Sequence, residues 1–310
     1  MSHAASEAEI IWYIFMVVKL IMRFRFSLIN FMKFFAFLSI ALLFISPAHA
    51  KRLALVIGND NYLAVSKLYK AGNDASAMAR ELSAAGFAVQ LHKNLNYRGM
   101  VKAVEVFANG IAGGDEVIIF FAGHGVQIKA GSYLLPTDIE AINESEVEKT
   151  AYELNALTDK LSEAKPRFSL IIVDACRDNP LKNRGRSVGS SRGLSAIEPA
   201  KGQMVVFSAS KGQQALDRLH DHDANPNGIF TRELIARMRV PGLKIDDLMR
   251  EVQDAVEMLA LSVHHEQRPA IYNEARGSFY FLPQRKFNLQ ISRLSHPAWL
   301  PVSGRTKSMK

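Results

Sequence analysis

Glu116-Val117-Ile118-Ile119-Phe120-Phe121-Ala122 is the most apolar strand-like run of the chain, and it leads directly into Gly123-His124-Gly125. A continuous apolar run of this length, stopped by glycine, reads as a strand buried on both faces and therefore central in a mostly parallel sheet. A second such run, Phe168-Ser169-Leu170-Ile171-Ile172-Val173, leads into Asp174-Ala175-Cys176-Arg177-Asp178-Asn179. In open α/β sheets ligands gather at the carboxyl ends of the strands, which is where both runs change from apolar to reactive residues.

Working outward, strands and helices alternate from Lys51 to Leu282. Residues 52–57 form a short apolar run stopped by Gly58. Asn73 is expected to cap a helix with Ala75, Met78, Leu82 and Ala85 on its apolar face, ending at Gly86. Residues 87–92 predict a strand, and Val101, Val104, Phe107 and Ile111 the helix after it. Residues 126–128 and 132–135 flank Lys129-Ala130-Gly131 as a small hairpin. Leu154, Leu157 and Leu161 mark a further helix, residues 203–208 a strand, 228–238 and 244–261 two helices, and 278–282 a last strand closing the sheet. No internal repeat is visible. The pattern predicts an α/β fold with a mostly parallel central sheet and helices on both faces.

The chain has 310 residues, 48% of them apolar and 22% charged, which excludes disorder and coiled coil as descriptions of the whole. A net charge of +8 lacks the density of a nucleic-acid-binding stripe, so no nucleic-acid partner is expected. The 1 cysteine excludes an internal disulfide and a four-cysteine zinc site. Residues 32–50 combine a basic start, an apolar stretch and the small-x-small end Ala48-His49-Ala50, the three parts of a secretory signal. The expected location is therefore periplasmic or secreted, with Lys51 as the mature amino terminus. The alternative is an uncleaved membrane anchor over residues 26–45, the only expected membrane association. The domain reading is a signal or anchor over 1–50, an α/β domain over 51–282 and a basic tail over 283–310. Within the domain, a basic Gly/Ser-rich loop at 182–195 separates a larger front part, 51–181, from a smaller back part, 196–282.

If the two apolar strands are neighbours, His124 and Cys176 face one crevice. An imidazole beside a thiol can generate the thiolate nucleophile and later protonate the leaving amine. Glycine on both sides of His124 allows close approach of substrate, and the backbone N–H groups of Gly125 and Cys176 become oxyanion donors. Taken singly, a cysteine after an apolar strand is more often a buried small hydrophobe, and a histidine in a loop is more often structural. Their joint placement at strand ends favours the catalytic reading.

Phe121-Ala122-Gly123-His124-Gly125 and Asp174-Ala175-Cys176-Arg177, 52 residues apart from His124 to Cys176, resemble the two catalytic blocks of caspase-like cysteine peptidases, most of all the bacterial and metacaspase-like members. The resemblance extends over residues 51–282. It includes Leu55-Val56-Ile57-Gly58-Asn59-Asp60-Asn61-Tyr62, Gly72-Asn73-Asp74-Ala75, Tyr133-Leu134-Leu135-Pro136-Thr137-Asp138, Phe207-Ser208-Ala209-Ser210 and Asn227-Gly228-Ile229-Phe230-Thr231. It implies a three-layer caspase-like fold and a cysteine endopeptidase acting on protein or peptide substrates. Caspases carry Gln two residues before the cysteine, where this chain has Asp174. By resemblance to metacaspase-like members, Asp174 and Asp74 line an S1 pocket for Arg or Lys, since carboxylates favour a basic side chain and repel an aspartate. For Asp74 the plain alternative is an acidic residue in the first turn of a helix.

A protease of that specificity would meet Lys182, Arg184, Arg186 and Arg192 in its own basic loop, so autoprocessing is expected there, with a plain linker as the alternative. No cofactor is expected. The acidic cluster of calcium-dependent metacaspases is not recognisable, and no metal site is assigned. Gly189-Ser190-Ser191-Arg192-Gly193 fits a nucleophile elbow in letters only, because it follows a polar loop instead of a strand. His220-Asp221-His222-Asp223 is read as solvated, and no phosphate-binding glycine motif is present. From another class, the competing reading is a catalytically silent caspase-fold interaction module.

Overall fold

The structure is a computed structural model that describes residues 12–20, 50–128, 131–140, 144–176 and 197–284. The chain divides into two compact units, Met1–His49 and Ala50–Lys310. In the first, residues 12–20 are helical, and the signal-like stretch lies outside the described residues. Among the described residues no helix is long and apolar enough to cross a membrane.

In the second unit the elements run β1 (Arg52–Gly58), α1 (Ala71–Ala84), β2 (Ala88–Lys93), α2 (Tyr97–Asn109), β3 (Glu116–Ile128), β4 (Gly131–Leu134), α3 (Glu144–Thr150), β5 (Tyr152–Glu153), α4 (Leu154–Ala164), β6 (Phe168–Cys176), β7 (Gln203–Phe207), α5 (Ile229–Met238), α6 (Ile245–Leu261) and β8 (Ala270–Asn273). The main sheet has the order β2-β1-β3-β6-β7-β8. The pairings from β2 to β7 are parallel and β8 is antiparallel to β7. The end of β3 folds back into the expected hairpin with β4, which also pairs with β5.

Alternation along the central strands builds three layers. In β3, Ile118, Phe120 and Ala122 enter one core with α1, α5 and α6, while Val117, Ile119 and Phe121 enter the opposite core with α2 and α4. Both faces are buried, which is why the run shows no polar alternation. A third cluster, including Tyr62, Val126, Tyr133, Leu135 and Val147, sits under the hairpin and supports the strand end beyond Ala122.

Two sequence expectations are corrected. Asn73 does not cap its helix: α1 begins at Ala71 with Lys70 at the cap position and no side-chain cap there. The early N–H of Gly72 is instead taken by the Asp60 carboxylate at 2.8 Å, so the capping oxygen comes from the preceding loop. Residues 278–282 do not close the sheet; the edge strand is β8, at Ala270–Asn273. The apolar alternation of Phe279 and Phe281 is real, since both are buried and their rings pack edge-on at 5.2 Å. Their backbone is held by other groups. Arg52 donates to the carbonyls of Tyr280 and Phe281 at 2.7 and 2.9 Å, and Ile245 N–H donates to Phe279 at 3.0 Å. The Arg52 guanidinium also lies 4.2 Å from the Phe87 ring centroid, tying the start of β1 to the end of the domain.

Candidate active site

β3 and β6 stay in register to their shared end: Ala122 is opposite Asp174, Gly123 opposite Ala175, and His124 opposite Cys176. Parallel neighbours lie ~4.8 Å apart, so His124 and Cys176 occupy the last common rung of two central strands. The sequence places both just beyond strand ends, whereas β3 continues to Ile128 and β6 to Cys176. The extension fixes the backbone at both positions.

His124 is almost wholly buried, and its ring packs on Tyr62 at a centroid distance of 4.6 Å. Its backbone N–H donates to Tyr62 Oη at 2.8 Å, and Tyr62 Oη donates in turn to the Leu135 carbonyl at 3.2 Å. Nε2 lies 2.8 Å from the Ser66 carbonyl, which can only accept, so Nε2 carries the proton. In the neutral ring Nδ1 then holds the free lone pair, and it has no hydrogen-bond partner among the described residues. Burial lowers the His124 pKa from 6.5, with the Ser66 carbonyl partly opposing the shift. A neutral, fixed imidazole with an open Nδ1 is suited to act as a base.

The glycines around it have different reasons. At Gly123 a Cβ would lie 2.6 Å from Tyr62 Oη, so no larger residue fits while Tyr62 holds the histidine. Leu135 N–H donates to the His124 carbonyl at 2.9 Å. By the alternation of an antiparallel ladder, the N–H of Gly125 points away from β4, toward the β6 side. That is the side required of the predicted oxyanion donor. The backbone of Cys176, the second predicted donor, ends β6 at this rung.

Asp74 and Asp174, distant in sequence, converge below this rung. Asp74 Oδ1 accepts from Asn227 Nδ2 at 2.8 Å and from Gly228 N–H at 2.9 Å. Asp174 Oδ2 accepts from Thr231 Oγ1 at 2.7 Å. A Cβ at Gly228 would lie 3.2 Å from Asp74 Oδ2 and 3.9 Å from Asp174 Oδ2, so both carboxylates face one point. Asp74 does stand in the first turn of its own helix α1, and its carboxylate in addition binds the residues at the amino terminus of α5. Asp217 joins them in a narrow pocket walled by Leu68, Ala71, Ala122, Gly123 and Ala215. Burial raises the pKa of all three carboxyls; Asp174 adds to the shift at Asp74, and Lys70 opposes it at Asp217. Sequence reasoning missed Asp217 and Ser66. Asp217 sits in an irregular polar loop and Ser66 acts through its carbonyl, so neither leaves a signal in residue type or spacing.

Lys182, Arg184, Arg186 and Arg192, and the Gly189–Gly193 motif with them, lie outside the described residues. In the His220–Asp223 segment, Asp223 is bound by Arg232 at 3.0 Å and accepts from Leu219 N–H at 3.0 Å. Among the described residues no group of three His, Cys, Asp or Glu side chains could hold a metal ion.

A family model described as the caspase domain, Peptidase_C14, matches residues 51–280, well over half of the chain. No curated protein matches it.

Proposed function

Because the chain belongs to the caspase-domain family of peptidases, we propose that it is a cysteine endopeptidase that cuts after arginine or lysine. The Cys176 thiolate attacks the scissile carbonyl, and His124 accepts the thiol proton at Nδ1 and returns it to the departing amine. The tetrahedral oxyanion is held by the N–H groups of Gly125 and Cys176. Water, deprotonated by the same imidazole, then releases the acyl group from sulfur. Ser66 and Tyr62 position the ring.

The observation that supports the specificity is the convergence of Asp74, Asp174 and Asp217 on one narrow pocket that Gly123, one residue before His124, also lines. A guanidinium or ammonium entering it meets carboxylates in a low-dielectric setting, where charge-assisted hydrogen bonds are strong. Matched peptides with Arg, Lys or Asp at P1 test the reading. Cleavage after Arg or Lys by wild type and none by Cys176→Ala is expected, and a preference for Asp would overturn it. Fragment analysis of the two proteins incubated alone tests self-cutting at Lys182, Arg184, Arg186 or Arg192, where identical fragments would exclude it. The protein acts outside the cytoplasm, on the strength of the signal-like residues 32–50.

A further inference from the structure

Among the described residues the outer edge of the sheet is left open, next to the point where the described chain ends. β8 pairs with β7 alone among the described residues. Glu274 N–H donates to the Gln203 carbonyl at 2.9 Å, and the ladder alternates, so the N–H and C=O groups of Ile271 and Asn273 point to the outer side. Beside that edge runs a groove with Met204, Met249 and Ile271 at its base and Lys244, Asp246 and Asn273 along its rim. An open strand edge above apolar surface is a liability that folded proteins cover.

The chain's own tail fits it. Gly242 N–H donates to the Leu282 carbonyl at 2.8 Å, and the Gln284 side chain lies against Gly242, two residues before the groove-lining Lys244. Three more residues span about 10 Å, enough to enter the groove. The sequence that follows, Lys286-Phe287-Asn288-Leu289-Gln290-Ile291-Ser292, alternates apolar and polar residues as a half-buried strand does. Direction fits as well. Asn273, the last residue of β8, donates to Asp246 at 2.7 Å, so β8 ends at the same end of α6 where the chain leaves. A strand starting there runs antiparallel to β8.

We propose that residues 286–292 add to the sheet as an antiparallel strand on β8, with Phe287, Leu289 and Ile291 seated in the groove against Met249 and Ile271. The proposal is independent of the catalytic reading. Its test is amide hydrogen exchange on the full chain, on a chain ending at Gln284 and on full-length Leu289→Lys, all carrying Cys176→Ala to prevent self-cutting. Ile271 and Asn273 are expected to exchange at least about tenfold faster in both altered chains than in the full chain, while β3 is unchanged. If truncation also exposes β3, the comparison with Leu289→Lys decides. Equal exchange at β8 in the full chain and Leu289→Lys would overturn the proposal. So would protection that survives both changes and rises with protein concentration, which would assign the edge to a second copy.

Discussion

Replacing Asp74 by asparagine is expected to make the protein more stable and less active, with a stability gain that grows with pH. Burial and the neighbouring Asp174 push the Asp74 carboxyl from 3.8 up to about 8. A carboxyl raised in the folded state contributes stability that is complete below its unfolded pKa and lost as pH rises through its folded pKa. The loss therefore runs from about pH 4 to about pH 8. At 1.36 kcal/mol per pH unit it has a ceiling of about 6 kcal/mol. Asp174 is raised too, to about 6, with burial the largest cause at both groups, and the two titrate together, so about half of the ceiling, ~3 kcal/mol, is the expected gain for removing one charge. Asparagine preserves the geometry, because its carbonyl oxygen can accept from Asn227 and Gly228 as Oδ1 does. Urea unfolding of Cys176→Ala with and without Asp74→Asn, from pH 4 to pH 9, reads the difference. The two curves should coincide near pH 4 and separate by ~3 kcal/mol above pH 8. With Cys176 present, kcat/KM for an arginyl peptide should fall about 30- to 100-fold, the worth of one charged hydrogen bond. An asparagine variant that is less stable at every pH, or a difference that does not change with pH, would refute the reasoning.

Gly123→Ala should fold but lose at least about 100-fold in kcat/KM, because its Cβ would displace Tyr62 Oη from the histidine backbone; circular dichroism beside peptide kinetics checks this. Tyr62→Phe removes the partner of the buried His124 N–H and should cost about 1–3 kcal/mol in urea unfolding, with a fall in kcat and little change in KM. Since burial lowers the His124 pKa, the acid limb of kcat should lie below pH 6.5, and a limb near pH 8 would contradict the assignment. Sequencing the amino terminus of the native protein should return Lys51, whereas an intact residue 26–45 segment would place the protein on a membrane.

What the sequence revealed and what it hid follow from how far each residue's partners lie along the chain. β3 and β6 were legible because strands buried on both faces must be apolar throughout, and the glycines at 123 and 125 mark where the run changes use. His124 and Cys176 could be paired because each closely follows the apolar run of such a strand. The edge was not legible: the four-residue β8 is half-buried and has no apolar run, while Phe279 and Phe281 alternate like a strand and are held by Arg52 instead. The S1 candidates divide the same way. Asp174 is fixed by its position in β6, but Asp74 depends on Asn227 and Gly228, more than 150 residues away. Asp217 reaches the pocket through an irregular loop, where periodicity carries no information.

If the signal-like residues 32–50 direct export, the one cysteine of the sequence has no internal partner for a disulfide in an oxidising compartment, where thiols are subject to oxidation. Activity is therefore expected to depend on keeping that one residue reduced.

The central claim, that Cys176 is the nucleophile of a site shaped for basic side chains, is tested most directly by trapping it. Treating the protein with a peptide electrophile bearing arginine at P1 and mapping the adduct by mass spectrometry should give one modified residue, Cys176. The label should be absent in His124→Ala at the same exposure and absent with the aspartyl analogue. An adduct elsewhere, no adduct with the arginyl probe, or faster labelling by the aspartyl probe would contradict the account.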